Sequence, residues 1–323
     1  MKAIVVHEFG GPEVLKCEDV PQPAPGRGQL LVKIGAAGVN PADTYMRSGN
    51  YARKPALPYT PGVDGAGVIE GIGAAQPPGA NWKMGDRVYL SGSISGTYAE
   101  YAVVASAEAH PLPGDVTFAQ GAGLHIPYAT AYRALFQKGH GKPNETVLID
   151  GASGGVGIAA VQFAHVAGMR VIGTAGSDRG RELVKREGAD HVLDHTAPDL
   201  GAQVLKLTEN RGADLIIEML ANVNLGADLK MLAPHGRVVI VGSRGDVQIT
   251  PRDLMQREGA IFAVMLWNVT PEEMVTINSA ISAGLVNGSL HPVVGTELPL
   301  AEAQRAHKEI MSTSAYGKMV LIP

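Results

Sequence analysis

The sequence is poor in cysteine, in aromatic residues and in charge of one sign. Its 323 residues contain one cysteine, Cys17, which excludes an intrachain disulfide and any zinc site built from two or more thiolates. Aromatic residues make up 5% of the chain, and 27 Lys and Arg against 31 Asp and Glu give a net charge of −4. Because no charge of either sign forms a run, the chain lacks the basic patch that binds nucleic acid or an anionic membrane.

Long hydrophobic runs are missing as well. No stretch of about 18 residues is free of polar or charged side chains, so the sequence predicts no transmembrane helix. The first apolar run, Ala3 to Val6, is too short for the hydrophobic region of a signal peptide. With a single thiol and no export signal, the sequence predicts an enzyme of the cytoplasm.

The chain is rich in glycine and in apolar residues. It contains 41 glycines, 21 prolines and 45% hydrophobic residues, and it is long enough for two domains. Up to residue 123, short apolar segments alternate with glycine and proline, and we predict strands at 30–34, 65–73 and 86–90. This pattern is typical of a β-barrel-like domain.

From about residue 144, predicted strands alternate with predicted helices. The strands are predicted at 146–150, 170–174, 191–194, 214–218 and 237–241, with helices at 158–167 and 179–187. Such alternation predicts an α/β fold with a doubly wound parallel sheet over residues 124–264. The remaining segment, 265–323, contains a predicted helix (271–283) and strand (317–321) and is expected to return to the first domain.

A glycine-rich loop between the first strand and helix of the second domain is the most informative motif. Residues 150–157 read Asp-Gly-Ala-Ser-Gly-Gly-Val-Gly and match G-x-G-x-x-G with Ala152 in the first position. In such loops small residues allow a tight turn, close approach to a pyrophosphate and packing of the helix on the strand. The free N–H groups and the dipole of the helix then favour phosphate. The motif therefore predicts dinucleotide binding through Ala152, Ser153, Gly154, Gly155, Val156 and Gly157; the alternative is a tight turn with a structural role only.

The end of the second strand of this domain distinguishes between the two nicotinamide coenzymes. NAD-binding folds place an acidic residue there to bind the ribose 2′-hydroxyl, but here the position holds Ala175. Ser177 offers a hydrogen bond, and Arg179 and Arg181 lie within reach of a 2′-phosphate at the start of the next helix. The sequence therefore predicts NADPH, unless both arginines are ordinary solvated charges on the helix surface.

Several segments resemble one known family. They are 8–16, 38–49 (Gly-Val-Asn-Pro-Ala-Asp-Thr-Tyr-Met-Arg-Ser-Gly), 151–157, 218–225 and 241–245. Together they resemble the zinc-independent medium-chain dehydrogenases/reductases of the NADPH:quinone oxidoreductase (zeta-crystallin-like) family, over nearly the whole chain. The resemblance implies a GroES-like catalytic domain, residues 1–123, followed by a Rossmann domain, with the reaction in the cleft between them.

The resemblance also implies a set of functional residues. It places Asn40, Asp43, Tyr45 and Tyr51 at the catalytic site, although Asp43 is equally consistent with a structural role and both tyrosines with simple packing. The further coenzyme contacts that it implies are Tyr45, Thr130, Gly176, His195, Asn224, Val241, Gly242, Ser243, Arg244, Val264, Met265, Leu266 and Lys318. Lys318 is equally consistent with a solvated surface lysine.

The zinc ligands of related alcohol dehydrogenases have no counterpart in this sequence. Where those enzymes carry a cysteine and a His-Glu pair, this chain carries Asn40, Val63 and Asp64. We therefore predict no metal at the site. Without a Lewis acid to stabilise an alkoxide, reduction of a conjugated acceptor is favoured over reduction of a simple ketone, because conjugation spreads the charge left by hydride addition.

The sequence therefore predicts NADPH-dependent reduction of quinones by hydride transfer. The alternatives are reduction of the C=C bond of enones or 2-alkenals and, outside enzymes, an NADPH-binding structural protein or a moonlighting RNA-binding protein. The net charge of −4 without basic patches argues against RNA. The family implies a small-molecule substrate and a homodimer or homotetramer, with the last strand of the second domain as a possible edge-pairing partner.

Overall fold

The computed structural model describes residues 1–52, 54–77, 79–312 and 315–323. These form two compact units. The first comprises the described residues up to 126 with 291–312 and 317–323, and the second comprises 127–290 with 315–316. None of the described helices is long and apolar enough to cross a membrane.

The elements follow the predicted change from strands to alternating strands and helices. The strands are β1 Lys2–Val6, β2 Leu15–Asp19, β3 Gln29–Val39, β4 Gly65–Ile72, β5 Arg87–Leu90, β6 Tyr101–Ala105, β7 Ala109–Pro111, β8 Thr146–Ile149, β9 Arg170–Thr174, β10 His191–Leu193, β11 Ala213–Glu218, β12 Leu232–Ile240, β13 Ala260–Ala263, β14 Val294–Pro299 and β15 Lys318–Ile322. The α-helices are α1 Pro41–Arg47, α2 Phe118–Gly121, α3 His125–Tyr132, α4 Gly155–Val166, α5 Asp178–Arg186, α6 Leu200–Leu207, α7 Ala221–Met231, α8 Pro251–Met255, α9 Pro271–Val286 and α10 Ala303–Glu309.

The first unit contains a seven-stranded sheet and a two-stranded sheet. The larger sheet has the order β14-β15-β3-β4-β5-β7, and β6 pairs with β3. Strand β3 pairs antiparallel with β4, β6 and β15, so it organises the sheet. Its apolar side chains, Leu30, Val32 and Ile34 among them, join a core to which the C-terminal strands contribute Leu298 and Leu321.

The second unit contains a six-stranded sheet of order β10-β9-β8-β11-β12-β13. All five strand pairs are parallel, so the carboxyl ends of the strands meet at one edge. Strands β8 and β11 lie in the middle and are fully buried, as expected for a sheet covered on both faces. The loops that leave these carboxyl ends carry most of the predicted coenzyme residues.

The tail divides differently from the sequence-based expectation. Residues 265–290, including helix α9, belong to the second unit, and only the segments from 291 onward return to the first. Helix α9 buries Ile277 and Ile281, and the guanidinium of Arg133 donates to Glu273 in its first turn at 2.8 Å. Sequence periodicity finds such a helix but not the surface against which it packs, so the predicted boundary at 265 lies too early.

Candidate functional site

The glycine loop joins β8 to α4 by a tight turn. Gly151 has a φ of +58°, a conformation that favours glycine. A Cβ at Gly157 would lie 2.5 Å from the carbonyl oxygen of Gly151, so the helix packs on the loop only with glycine there. A Cβ at Gly154 would meet nothing closer than 3.4 Å, which leaves its backbone accessible. These are the three roles that a pyrophosphate-binding loop requires of its small residues.

The start of α4 provides donors for an anion. The N–H groups of the first helical turn, from Gly155 to Gly157, have no carbonyl partner within the helix. The hydroxyl of Ser153, in contrast, is buried and donates to the carbonyl oxygen of Ala315 at 2.8 Å. The loop therefore offers backbone N–H groups to a phosphate, while the Ser153 side chain fixes the loop to the segment at residues 315–316.

The end of β9 presents polar side chains in place of a carboxylate. Ala175 is completely buried, and Ser177 caps helix α5 by accepting from the N–H of Gly180 at 3.1 Å. The O–H of Ser177 is then available to donate to a ligand. Arg179 is exposed, and its guanidinium lies 3.8 Å from the ring centre of Tyr316. This cation–π contact holds the Arg179 guanidinium at the position where a 2′-phosphate is expected.

Arg181 differs from Arg179 in its surroundings. Its guanidinium donates to Asp194 at 2.9 Å, to Asp178 and to the carbonyl oxygen of Ala175. Two carboxylates therefore already compensate its charge. Of the two predicted arginines, Arg179 is the better candidate for a phosphate contact.

Most other predicted coenzyme residues also follow strand ends at this edge. They are Gly176 after β9, His195 after β10, Asn224 in α7 after β11, Val241, Gly242, Ser243 and Arg244 after β12, and Val264, Met265 and Leu266 after β13. His195 is exposed, and its Nε2 lies 2.6 Å from the place that a Cβ would take at Gly176. The side-chain amide of Asn224 donates to Glu218 at 3.2 Å. Thr130 is instead buried in α3, and Tyr45 and Lys318 belong to the first unit.

Three buried carboxylates lie close together beneath this edge. Asp150, Glu218 and Asp228 each place an oxygen within 4.8 Å of the other two, and within the described ranges they form the one group with the spacing of metal ligands. Burial raises the pKa of Asp228 to about 10 and also raises the pKa of Asp150. Asp228 therefore holds a proton at neutral pH, which lowers the negative charge of the group.

In the first unit, an ammonium group joins the residues that replace the zinc ligands. Lys318 is 4% exposed, and its Nζ donates to Asn40 Oδ1 at 2.6 Å and to Asp64 Oδ2 at 2.9 Å. The amide of Asn40 in turn donates to Asp64 Oδ2 at 3.0 Å. Lys318 is therefore not a solvated surface lysine, and its charge compensates the carboxylate of Asp64.

A second polar network surrounds Asp43 at the start of α1. Asp43 is 1% exposed, and its Oδ2 accepts the N–H of Asn40 at 2.8 Å and the O–H of Tyr98 at 3.2 Å. Tyr98 also contacts His307 Nε2 at 3.2 Å, and His307 Nδ1 lies 3.4 Å from Nη1 of Arg47. Oδ1 of Asp43 has no hydrogen-bond partner among the residues that the structure describes. Burial, which is the main cause, raises the pKa of Asp43 to about 7.

The two predicted catalytic tyrosines lie together. The rings of Tyr45 and Tyr51 are partly exposed and stacked, with centres 6.3 Å apart and planes inclined by 20°. The structure thus brings together all four predicted catalytic residues, Asn40, Asp43, Tyr45 and Tyr51, around helix α1. Their catalytic roles stay predictions.

A cavity of about 490 Å³ opens beside Asp43 within the first unit. Its wall includes Tyr59, Thr60, Met46 and the segment Ser93–Gly96. The hydroxyl of Tyr59 is buried, and no described residue forms a hydrogen bond with it. The volume suits a small organic molecule, and the two unpartnered polar groups, on Asp43 and Tyr59, are the kind that orient a ligand.

Sequence reasoning missed Tyr59, Tyr98 and His307. Each lies outside the motif at 38–49. Tyr98 contacts Asp43 from a position 55 residues further along the chain, and His307 contacts Tyr98 from a position 209 residues further still. Tyr59 stands in the proline-rich segment 55–61, which signals a turn but not a site. The one local signal for a polar centre here is Asp64, a carboxylate two residues after Gly62 and directly before strand β4.

Comparison with known proteins assigns both units. Residues 26–114 match the model of the alcohol dehydrogenase GroES-like domain, and residues 155–282 match that of the zinc-binding dehydrogenases. Human quinone oxidoreductase is 48% identical over 100% of this chain and 98% of its own length. Escherichia coli quinone oxidoreductase, solved in complex with NADPH, aligns with a TM-score of 0.89 at 28% identity over 100% of both chains. An NAD-dependent alcohol dehydrogenase aligns with a TM-score of 0.92 at 30% identity, also over 100% of both chains. Since the likeness to the quinone oxidoreductases extends over the full chain and both domain models match, the chain belongs to the quinone oxidoreductase family of the medium-chain dehydrogenases/reductases.

Proposed function

We propose that the protein reduces quinones with NADPH by hydride transfer and that it does so without zinc. The observation that carries the proposal is the end of β9, where a buried alanine and an exposed, stacked arginine replace the carboxylate typical of NAD enzymes. Human and Escherichia coli relatives named quinone oxidoreductase support the choice of acceptor. In this proposal the second unit holds the coenzyme and the first unit holds the acceptor.

The residues at the predicted coenzyme site have the chemical groups that NADPH binding requires. The backbone N–H groups at the start of α4 bind the pyrophosphate, Gly154 allows its approach, and Ser177 with Arg179 bind the 2′-phosphate. The coenzyme supplies a hydride and thus the redox chemistry. The chain supplies the binding and the orientation, and the partly exposed rings of Tyr45 and Tyr51 offer a flat surface for an aromatic acceptor.

Arg179→Ala is expected to weaken NADPH binding about tenfold and to leave NADH binding unchanged, because one exposed charge-assisted contact with the 2′-phosphate is lost. Arg181→Ala is expected to have a smaller effect, because Asp194 and Asp178 already engage that guanidinium. Titration of coenzyme fluorescence measures both affinities. Arg170→Ala, at the opposite end of β9, is the matched control. Equal loss of NADH and NADPH affinity in Arg179→Ala would argue against a 2′-phosphate contact.

Zinc independence follows in this proposal from Lys318. Its ammonium already binds Asn40 and Asp64, the residues at the positions of the lost metal ligands. We expect prolonged dialysis against EDTA to leave quinone reduction unchanged and elemental analysis to find no stoichiometric zinc. Loss of activity on dialysis that added zinc restores would contradict this.

Steady-state kinetics test the function itself. Purified protein is expected to oxidise NADPH with 1,2-naphthoquinone, and kcat/KM for this quinone is expected to exceed that for a 2-alkenal. A preference for the 2-alkenal would instead identify an enone or alkenal reductase. Tight NADPH binding without turnover of any quinone or enone would indicate a binding protein rather than an enzyme.

The solution state and location are also part of the proposal. We propose a homodimer or homotetramer in the cytoplasm that acts on a small molecule and binds neither nucleic acid nor membrane. Strand β13 lies at the edge of the six-stranded sheet, and Phe262 on it is 37% exposed. An apolar edge strand of this kind favours pairing with a second copy.

A further inference from the structure

The hydrogen bonds that link Arg47, His307, Tyr98 and Asp43 all donate in the same direction, from Arg47 toward Asp43. Arg47 carries only donors, so Nδ1 of His307 must accept its hydrogen bond. Burial lowers the pKa of His307 to about 3, so its ring is neutral and its one hydrogen is on Nε2. That hydrogen is donated to the oxygen of Tyr98, and the Tyr98 hydroxyl then donates to Oδ2 of Asp43.

This direction decides where a proton resides on Asp43. Oδ2 accepts from Tyr98 and from the N–H of Asn40, and both are fixed donors. A hydrogen on Oδ2 would point at the hydrogens of these two donors and repel them. The carboxyl proton is therefore confined to Oδ1. Because the network ends at a guanidinium, it positions Asp43 but does not conduct protons.

Like Asp43, Tyr59 lines the cavity and carries a buried polar atom without a hydrogen-bond partner among the described residues. Its hydroxyl is buried and has no partner among the described residues, and a buried hydroxyl without a hydrogen bond is unfavourable. Burial and the nearby Asp43 raise the pKa of Tyr59 to about 12, so it remains a donor at neutral pH. Two buried groups that can donate, each without an acceptor in the described protein, therefore line one cavity of ligand size.

We propose that Asp43, carrying its proton on Oδ1, and Tyr59 form a two-donor oxyanion site for the carbonyl oxygen of the acceptor in this cavity. The proposal rests on the proposed function and names the groups that act on the substrate. Catalysis by such a site comes from donors fixed where negative charge develops. A tyrosine and a carboxylic acid kept neutral by burial are a known combination for this task.

The chemistry balances with NADPH as the reductant. A hydride, with its electron pair, adds to the conjugated acceptor, and the negative charge moves to the carbonyl oxygen held by Tyr59 and Asp43. The O–H bond of Asp43 breaks as that oxygen takes the proton. The products are the hydroquinone, oxidised coenzyme and the Asp43 carboxylate, which regains a proton from water.

The charges around Asp43 support a neutral carboxyl at moderate pH. The Asp64 carboxylate raises the pKa of Asp43, whereas the Lys318 ammonium and the hydrogen bonds from Asn40 and Tyr98 lower it; burial outweighs them. The other facing groups, His307 and Tyr59, are neutral, and the Arg47 charge lies beyond His307. Activity is therefore expected to fall about tenfold per unit above a pH of about 7, as Asp43 loses its proton.

Asp43→Asn and Tyr59→Phe test the proposal. In Asp43→Asn the amide oxygen must face the two donors at Oδ2, so its NH₂ replaces the Oδ1 hydroxyl as a donor that does not titrate. We expect this variant to lose the decline of kcat/KM above neutral pH. Tyr59→Phe is expected to keep the pH profile and to lower kcat about tenfold to a hundredfold, with the larger loss for menadione than for the more reactive 1,4-benzoquinone. Asp115→Asn and Tyr101→Phe are the matched controls.

A binding assay separates failure of this site from failure of the proposed function. The oxyanion 4-nitrophenolate is expected to bind the wild-type protein with its phenolate absorption band retained, and to bind Tyr59→Phe at least several-fold more weakly. An enzyme that reduces quinones but shows the same pH decline in Asp43→Asn, or no effect of Tyr59→Phe, would overturn the inference alone. Absence of quinone reduction with intact 4-nitrophenolate binding would overturn the proposed function and leave the anion site standing.

Discussion

Gly157→Ala is expected to abolish tight NADPH binding and to destabilise the second unit by about 1–3 kcal/mol, the usual cost of overpacking. The added methyl would lie 2.5 Å from the carbonyl oxygen of Gly151 and 2.6 Å from the Cα of Ala152. Both are backbone atoms of the loop, so they can give way only if the loop opens and α4 moves off β8. Thermal unfolding measures the first effect, and fluorescence titration with NADPH measures the second.

Gly154→Ala is the informative partner of this variant. Its backbone has φ −82° and ψ 174°, which any residue adopts, and a methyl there makes only ordinary contacts. We therefore expect wild-type stability but weaker NADPH binding, since the methyl stands where the pyrophosphate approaches. Gly114→Ala, at an open position with no atom within 4 Å, is the neutral control. Wild-type affinity in both loop variants would show that the loop does not hold the coenzyme.

The architecture of the second unit was predictable because its signals are local. Buried parallel strands appear as short apolar runs, and each is followed within a few residues by glycine or a helix cap. The strands predicted at 146–150 and 170–174 are confirmed as β8 and β9, and the glycine loop lies between β8 and α4 as predicted. Parallel pairing then brings the ends of these strands to one edge without further information. Local pattern and sheet topology were thus enough to place most of the predicted coenzyme residues at this edge of the sheet; that they bind the coenzyme stays a prediction.

The polar centre of the first unit was not predictable in the same way. Lys318 contacts Asn40 across 278 positions, and His307 contacts Tyr98 across 209. No periodicity relates residues so far apart, and a buried lysine has the same sequence signature as an exposed one. The motif at 38–49 located α1 and Asp43, but Tyr98, in the loop before β6, and His307, in α10, lie in segments with no motif of their own.

Lys318→Met is expected to be the most destabilising single change in the first unit, by about 3–5 kcal/mol, because it leaves a buried carboxylate without its cation. The Asp64 side chain is 1% exposed and the Lys318 side chain 5%, so water replaces neither partner. Breaking the exposed pair of Lys2 and Asp19 is expected to have little effect, since both side chains are more than half exposed. The midpoint of urea unfolding, compared for the two lysine variants, measures the difference.

The double variant Lys318→Met/Asp64→Asn shows whether the missing charge is the cause. Asparagine removes the buried charge and keeps an oxygen acceptor for the N–H of Ile126, which donates to Asp64 Oδ1 at 3.0 Å. Its NH₂ then takes the place of Oδ2, and the amide of Asn40, no longer bound to Lys318, can flip so that its oxygen accepts from that NH₂. We expect the double variant to recover most of the lost stability, since replacing a whole buried pair by neutral groups is often close to neutral in energy. Such a stable protein without the ammonium also tests the predicted coenzyme contact of Lys318 directly. Recovery of stability with wild-type NADPH affinity would assign Lys318 to the support of Asn40 and Asp64, and a double variant as unstable as Lys318→Met would show that lost packing, not the unpaired charge, dominates.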